Sequence, residues 1–170
     1  MVLSKLVFFQ KYTLENVMSD YKKVELHENI LKFIAIIKQS KNEIIFIHDY
    51  ASDGTLRQYL KQNSSKFNWY DKLRLAKQLV SAVKCLQDNN IVHLNLNSGK
   101  ILVNKGDIKI NIFQDQKTFP SIFEYIQYTD SQFLQNIETY KLNKSSDIYS
   151  IGVLLWEISS GIIPFKNELY

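Results

Sequence analysis

The second half of the chain contains two segments whose apolar residues recur at helical spacing. Residues 68–90 begin with Asn68 and Asp71, the signature of a helix capping box, and then carry two adjacent apolar rows. The rows consist of Leu73, Ala76, Val80 and Val83, and of Leu75, Leu79, Ala82 and Leu86. So wide a stripe predicts a helix that is buried on much of its surface. Residues 147–161 are apolar almost all round, which predicts a helix in the middle of a helical unit, ended by Gly161.

The first fifty residues have a different pattern, in which short apolar runs alternate with polar turns. Three strands rich in β-branched and aromatic residues are predicted, at residues 1–9, 30–38 and 43–50. The polar residues 39–42 predict a hairpin turn between the last two strands. Residues 13–26 repeat apolar side chains at spacings of three and four, which predicts one helix. These elements predict a small, strand-rich unit.

A polar loop lies between apolar runs at residues 91–104, whose sequence is IVHLNLNSGKILVN. Short strands are predicted around it, at residues 91–92, 101–103 and 108–112. Gly106 and Asp107 form the predicted hairpin turn between the last two strands. Loops of this kind on a rigid scaffold often hold catalytic residues.

The amino-acid composition is typical of a globular domain and gives no sign of nucleic-acid or metal binding. Of the 170 residues, 45% are hydrophobic and 22% are charged, which is typical of a folded soluble protein. Basic and acidic residues are interleaved to a net charge of +4, so we expect no nucleic-acid partner. No apolar run approaches the roughly 18 residues of a membrane span. The single cysteine, Cys85, excludes an internal disulfide and a cysteine-rich zinc site, and we expect a cytoplasmic protein.

Glycines are few and scattered. The chain has five, and no two lie within six residues of each other. A phosphate-cradling loop needs clustered glycines so that backbone N–H groups can approach the phosphates. The sequence therefore predicts no such loop.

Two motifs together resemble the catalytic domain of protein kinases. The family's loop reads His-Arg-Asp-Leu, then an Asn and an apolar strand, and HLNLNSGKILV is similar to it, with His93 and Leu96 in place. The family's Asp-x-Trp-Ser-x-Gly helix is matched by Asp147, Ser150 and Gly152. The stretches IHDYASDGTLRQYL and YTDSQFL resemble the hinge and the end of the activation segment, in the same order along the chain.

The resemblance implies an α+β fold with two lobes, of the protein kinase type, in one domain over residues 1–170. Residues 1–50 would form an incomplete small lobe, made of a β-sheet and one helix, with the hinge at 49–51. Residues 52–170 would form a truncated, mainly helical large lobe. The family's glycine-rich loop, first two strands and last helices fall outside this alignment.

The resemblance also implies that the family's chemically active positions hold other residues here. Asn95 stands at the catalytic base, Lys100 and Ile112 at the two magnesium ligands, and Ser4 at the lysine that contacts phosphates. An amide cannot take up a proton at accessible pH, and an ammonium has no acceptor atom for a cation. Asp115 could replace a metal ligand only if the backbone were rearranged. We therefore expect no functional catalytic residue and no metal.

Other positions are assigned to binding or to structure by the same resemblance. A nucleotide pocket, if the chain keeps one, would use the gatekeeper and hinge residues His48, Asp49, Tyr50 and Ala51. Three residues would be structural: His93, Phe113 and Asp147. Asp147 is expected to accept backbone N–H bonds from the loop at residues 93–96, because a buried carboxylate must be satisfied.

The expected function is that of a catalytically inactive pseudokinase, a binding, scaffolding or regulatory module in signalling. It would need no cofactor and would bind protein partners, such as another kinase, but neither nucleic acid nor membrane. One alternative is a weak or atypical Ser/Thr or Tyr kinase that uses ATP and Mg²⁺. A related hypothesis has Lys100 contacting phosphates in place of a metal ion. A further alternative is a truncated gene product without function.

Overall fold

A computed structural model describes residues 2–7, 14–38, 43–112, 125–136, 139 and 141–164, with the backbone alone at 2–7, 38, 43 and 44. Within these ranges one apolar core joins both halves of the chain. It includes Tyr21 and Phe46 from the first half, and Leu75, Ile110 and Leu154 from the second. The division into two lobes near residue 50 stays a prediction.

The first half is built on a three-stranded antiparallel sheet. Its strands are β1 (Val2–Val7), β2 (Phe33–Lys38) and β3 (Glu43–His48), with β3 in the centre. The predicted hairpin of β2 and β3 is confirmed, with a register shift between Phe33 and Ala35.

The helix predicted at residues 13–26 is present as α1 (Leu14–Val24), and it contacts this sheet. Tyr21 anchors it, because its hydroxyl accepts a 2.9 Å hydrogen bond from the backbone N–H of Phe33. The Tyr21 ring also meets the Phe33 ring edge-on at 5.8 Å. Tyr21 and Val24 are the buried residues of the helix.

The segment that follows α1 connects the sheet to the second half. The N–H of Leu31 donates to the carbonyl of Ile110 at 2.9 Å, and the N–H of Ile110 donates to Asn29 at 2.8 Å. The buried Asn29 side chain adds a 3.0 Å bond to the carbonyl of Ile108. These bonds fix the region after the polar loop against the N-terminal unit.

In its described residues, the second half is mainly helical and contains a short hairpin. The helices are α2 (Leu56–Asn63), α3 (Trp69–Asp88), α4 (Ser131–Gln135) and α5 (Lys144–Ser160). The hairpin pairs β4 (Leu102–Asn104) with β5 (Asp107–Lys109). The predicted capping box of α3 is confirmed: Asn68 accepts from the Asp71 N–H at 3.0 Å, and Asp71 accepts from the Asn68 N–H at 3.1 Å. Nowhere in the described ranges is a helix both long and apolar enough to span a bilayer.

Three details differ from the sequence-based predictions. Residues 91–92 form no strand. The hairpin turn is centred one residue earlier than predicted, on Lys105 and Gly106, whose φ angles of +52° and +80° are those of a type I′ turn. The two strong helices are also less buried than their patterns implied, since Val80 is 43% exposed on α3 and Ile148 is 55% exposed on α5.

The end of α5 supplies the first testable prediction. Gly161 has φ +73°, and a Cβ atom there would lie 2.6 Å from the Cβ of Ser64. Gly161→Ala should therefore lower the free energy of unfolding by about 1–2 kcal/mol or more. The matched control is Gly152→Ala, inside α5, where an added Cβ meets no atom within 4 Å. That change should raise stability by about 0.5–1 kcal/mol. Urea unfolding measures the stability of both variants. Equal changes in the free energy of unfolding would contradict this prediction.

Candidate functional site

The polar loop between α3 and β4 is held by one buried carboxylate. Asp147, in the first turn of α5, is fully buried. Its Oδ2 accepts the N–H of His93 and its Oδ1 accepts the N–H of Leu94, both at 2.8 Å. Burial raises the pKa of Asp147, while the two N–H bonds act in the opposite direction. This is the geometry that the resemblance implied for Asp147.

The same bonds hold an unusual backbone conformation. Leu94 has φ +63°, in the left-handed region that non-glycine residues seldom occupy. The N–H groups of the two consecutive residues that lead into this bend, His93 and Leu94, both donate to one carboxylate, which holds the loop in that conformation. Asp147 therefore determines how the residues after Leu94 are presented.

His93 joins the loop to the segment after β5. Its Nδ1 accepts the N–H of Asn95 at 3.3 Å, so Nε2 carries the proton and donates to the carbonyl of Asn111 at 3.2 Å. Burial, which is the largest cause, and the positive charge of Lys100 together lower the pKa of His93 to about 4, although the hydrogen bond to Asn111 acts in the opposite direction. The imidazole is neutral at physiological pH and serves as a connector. Phe113, the third structural candidate, lies outside the described residues.

The positions assigned to chemistry carry no acidic group in this loop. The Oδ1 of Asn95 accepts a 3.3 Å bond from the amide of Asn97, which is itself buried. Lys100 is half-buried, and its N–H donates to the carbonyl of Asn97 at 3.1 Å. Ile112 packs against the apolar core. The side chain of Ser4 is outside the described part of the structure, as is Asp115.

The described residues contain no group of three or more His, Cys, Asp or Glu side chains that could hold a metal ion. The buried carboxylates of Asp147 and Asp130 already have partners inside the fold. Asp147 binds the loop backbone, and Asp130 accepts from the Ser146 hydroxyl at 3.1 Å.

The assigned gatekeeper and hinge residues lie at the end of β3. His48 is fully buried, with its ring 6.4 Å from those of Phe33 and Phe46. Burial lowers its pKa to about 4. The N–H of Asp49 donates to Lys32 at 2.9 Å, and the N–H of Tyr50 donates to the Asp49 side chain at 2.8 Å. The roles of these residues and of Ala51 in a nucleotide pocket stay predictions.

A second buried carboxylate, which sequence reasoning missed, holds the other end of the loop. Glu157 of α5 accepts the Ser98 hydroxyl at 2.8 Å and the Tyr128 hydroxyl at 2.5 Å. Arg57 of α2 donates to both hydroxyls at 3.2 Å. We call these four residues the Glu157 network. Its one signal in the sequence is an acidic residue inside the apolar run LLWEIS.

Electrostatics in the Glu157 network follow from burial. Burial raises the pKa of Glu157, while hydrogen bonds from Tyr128 and Ser98 and the charge of Arg57 lower it. Burial and the neighbouring Glu157 raise the pKa of Tyr128, so its hydroxyl stays protonated and can donate. The network joins α2, the loop and α5 to the segment that precedes α4.

Tyr125 packs directly on the loop beside this network. A Cβ atom at Gly99 would lie 2.3 Å from the Tyr125 hydroxyl oxygen, so a larger residue at 99 would require the Tyr125 ring to shift. The guanidinium of Arg57 lies 5.0 Å from the centre of the Tyr125 ring, in cation–π contact. The segment at residues 125–128 is thus held on the loop by ring packing and by hydrogen bonds.

Comparison with known proteins gives a family for this arrangement. The sequence profile described as protein tyrosine and serine/threonine kinase matches residues 10–168. The chain belongs to this family. The resemblance found in the loop and in the Asp147 helix is thereby confirmed, as is the incomplete kinase-like fold of a small sheet and a helical portion.

The kinase relatives are much longer proteins. A LEAF RUST 10 disease-resistance locus receptor-like protein kinase-like 1.3 of Arabidopsis thaliana is 28% identical over 146 residues, which is 79% of this chain and 21% of that protein. The protein of the same plant that carries the same name with the number 1.4 is 27% identical over 146 residues, with 79% and 22% covered. A probable LIM domain-containing serine/threonine-protein kinase of Dictyostelium discoideum is 23% identical over 145 residues, with 83% and 22% covered. The chain spans about a fifth of the length of these kinases.

The hydrogen bonds between Asp147 and the loop backbone give a second prediction. Asp147→Asn replaces one acceptor oxygen with an NH₂ group that faces a buried N–H. We expect the free energy of unfolding to fall by about 1–3 kcal/mol, the usual cost of an unsatisfied buried donor. The control is Asp88→Asn at the end of α3, whose exposed pair with Lys84 should contribute less than about 1 kcal/mol. Chemical denaturation measures the free energy of unfolding of both variants. An unchanged value for Asp147→Asn would show that the fold does not depend on the hydrogen bonds of Asp147 to the loop.

The buried His48 gives a third prediction. Its unfolded form binds a proton near pH 6.5 and its folded form only near pH 4, so the unfolded state binds more protons between these values. Its contribution to stability should therefore be lost as the pH falls from 7 to 5. The apolar variant His48→Leu lacks this term, and we expect the pH dependence to weaken by about 1–2 kcal/mol over that range. Denaturation curves of the parent protein and of the His48→Leu variant at pH 7 and pH 5 test this. An equal loss of stability in the two proteins would refute it.

Proposed function

We propose that this member of the kinase family is a non-catalytic binding module that acts in signalling. The observation that supports the proposal is the contrast within one loop. Asp147 and Glu157 hold both ends of the loop in place, while the assigned working positions carry Asn95 and Lys100. The scaffold of the loop is present without the groups that the family's chemistry needs.

Proton transfer is the first missing function. A carboxylate at the base position would accept the proton of the attacking hydroxyl, a contribution worth about 10²–10⁴-fold in rate. Asn95 has no basic atom, and its side-chain oxygen already accepts from Asn97. On this proposal the loop cannot supply general-base catalysis.

Charge neutralisation is the second missing function. Phosphoryl transfer in this family depends on metal ions that bridge the phosphates, held by an Asp and an Asn. Lys100 offers donors and a positive charge, and Ile112 offers no ligand atom at all. We therefore propose that the module works without Mg²⁺ or another cofactor.

The partners follow by inference from the family. The relatives bear the names of receptor-like and serine/threonine-protein kinases. We infer that the module binds a protein of such a signalling system, for example another kinase, in the cytoplasm. The interleaved charges along the chain favour a protein partner over nucleic acid.

The alternative is a weak, atypical kinase in which the Lys100 ammonium replaces a metal ion against phosphate. The observations that favour this alternative are that Lys100 stands at an assigned metal position with a half-buried side chain, and that its positive charge contributes to the lowered pKa of His93. An ATP-driven thermal shift in the presence of EDTA would support this candidate.

The fourth prediction separates the two functions. The protein should transfer no radiolabelled phosphate from ATP to itself or to a generic peptide mixture. Its melting temperature should also be unchanged by ATP, whether Mg²⁺ or EDTA is present. Phosphate transfer that is lost in Lys100→Ala would overturn the proposal, and a cooperative melt excludes a truncated product without a fold.

A further inference from the structure

Strand β2 forms one edge of the three-stranded sheet. It pairs with β3 on one side, and no other strand of the described ranges pairs with its opposite side. An edge strand directs part of its backbone N–H and C=O groups away from the sheet, where another strand can pair with them. The N–H of Phe33 already donates to the Tyr21 hydroxyl, so the edge that a further strand can extend runs over residues 34–38.

The sequence of β2 has few of the features that keep edge strands apart. Natural sheets protect their edges with proline, with charged residues or with bulges. The sequence FIAIIK has no proline and a single charge, which is on its last residue, Lys38. Three of its six residues are isoleucine, whose branched side chain favours a strand. The sequence therefore gives little protection against pairing with another chain.

The irregular part of β2 is confined to its start. The register shift against β3 lies between Phe33 and Ala35, and from Ala35 onward each residue faces the next residue of β3 in regular antiparallel order. Ile34 and Ile37 are 59% and 50% exposed. A regular edge with exposed apolar side chains is typical of a strand that pairs with another chain.

The register with β3 defines the two faces of this edge. Ile36 packs against the apolar core. Its neighbours Ala35 and Ile37 point to the opposite face, where they lie across from Ile47 and Ile45 of β3. All four of these side chains are apolar, and those of β3 are half-buried. A strand that extends the sheet therefore meets apolar side chains on both faces.

A second copy of β2 meets these requirements. Opposed residues of an antiparallel pair share a face, so Ile36 can stand opposite Ile36 of the copy, with Ala35 opposite Ile37 on the outer face. A twofold axis then relates the copies, and the interface closes on itself. In this register Lys38 stands opposite residue 34 of the copy, so no like charges oppose each other. The strand is thus complementary to itself in hydrogen bonding, in side-chain type and in charge.

We propose that two copies of this chain pair through β2, antiparallel and centred on Ile36, so that their sheets join into one continuous sheet. A contact between two such short strands buries less than the about 1,200 Å² of a stable complex. The dimer is therefore weak and depends on protein concentration. The inference goes beyond the proposed binding function and does not depend on the chemistry of the polar loop.

Analytical ultracentrifugation of the whole 170-residue chain tests the proposal. Over protein concentrations from about 1 µM to about 1 mM, the mean mass should rise from 20.0 kDa toward twice that value and no further. Amide hydrogen exchange, measured over the same concentrations, identifies the interface. Exchange within residues 34–38 should slow as the dimer forms, whereas exchange in α5 should not change.

Lysine substitutions at exposed positions locate the contact. Ile37→Lys puts a charge in the middle of the edge, and Ile34→Lys puts a charge opposite Lys38 of the copy. Each change occurs twice in a twofold interface, so each should raise the dissociation constant at least about tenfold. The control is Leu26→Lys, because Leu26 is 95% exposed and lies between α1 and β2, outside the strand. It should leave the dissociation constant unchanged. Thermal melting shows that each variant is folded, and the two edge variants test the same contact independently.

Four results would overturn the proposal. They are a mass of 20.0 kDa at every concentration, equal association of the parent and the folded edge variants, slowed exchange only outside β2, and growth beyond a dimer. None of these results concerns phosphoryl transfer. Failure of the strand pairing is thus distinguishable from failure of the proposed non-catalytic function, which depends on the phosphate assay.

Discussion

The buried carboxylate of Asp147 determines the conformation of the polar loop. A charged group enclosed by protein must be compensated by hydrogen bonds, and here both compensating donors are consecutive backbone N–H groups of His93 and Leu94. The requirement fixes the left-handed bend at Leu94. The His93 side chain in turn contacts the carbonyl of Asn111, after the hairpin. Further along α5, Glu157 accepts a hydrogen bond from Ser98 at the far end of the loop. One apolar helix thus supports the loop through its few polar side chains.

The hydrogen bonds to the two carboxylates do not use the side chains of Asn95 and Lys100. Asp147 accepts from backbone N–H groups, and Glu157 accepts from the hydroxyls of Ser98 and Tyr128. We therefore expect a change of side chain at residue 95 or 100 to leave these hydrogen bonds in place. On the proposed function, this separation explains how the loop keeps its conformation although an amide and a cation stand at the positions assigned to catalysis.

The sequence was informative where structure is determined locally or by a recurring motif. The capping box of α3, the β2–β3 hairpin and the stop at Gly161 depend on neighbouring residues, and the roles of His93 and Asp147 could be inferred from a resemblance. The outward positions of Val80 and Ile148 could not be predicted, because a wide apolar stripe does not show which part of it faces the core. The Glu157 network could not be predicted either, since it joins residues from α2, the loop and α5 that are distant in the chain. The hairpin turn was displaced by one residue because Lys105 adopts a left-handed conformation that its residue type does not signal.

The central claim is that the loop is a retained framework without the family's nucleotide chemistry. Amide NMR of residues 93–100 during a titration with Mg²⁺-ATP tests it most directly. The account predicts slow hydrogen exchange at the braced N–H groups of His93 and Leu94, and no saturable shift of the Asn95 and Lys100 signals. Saturable shifts at those two residues, or fast exchange at Leu94, would contradict it.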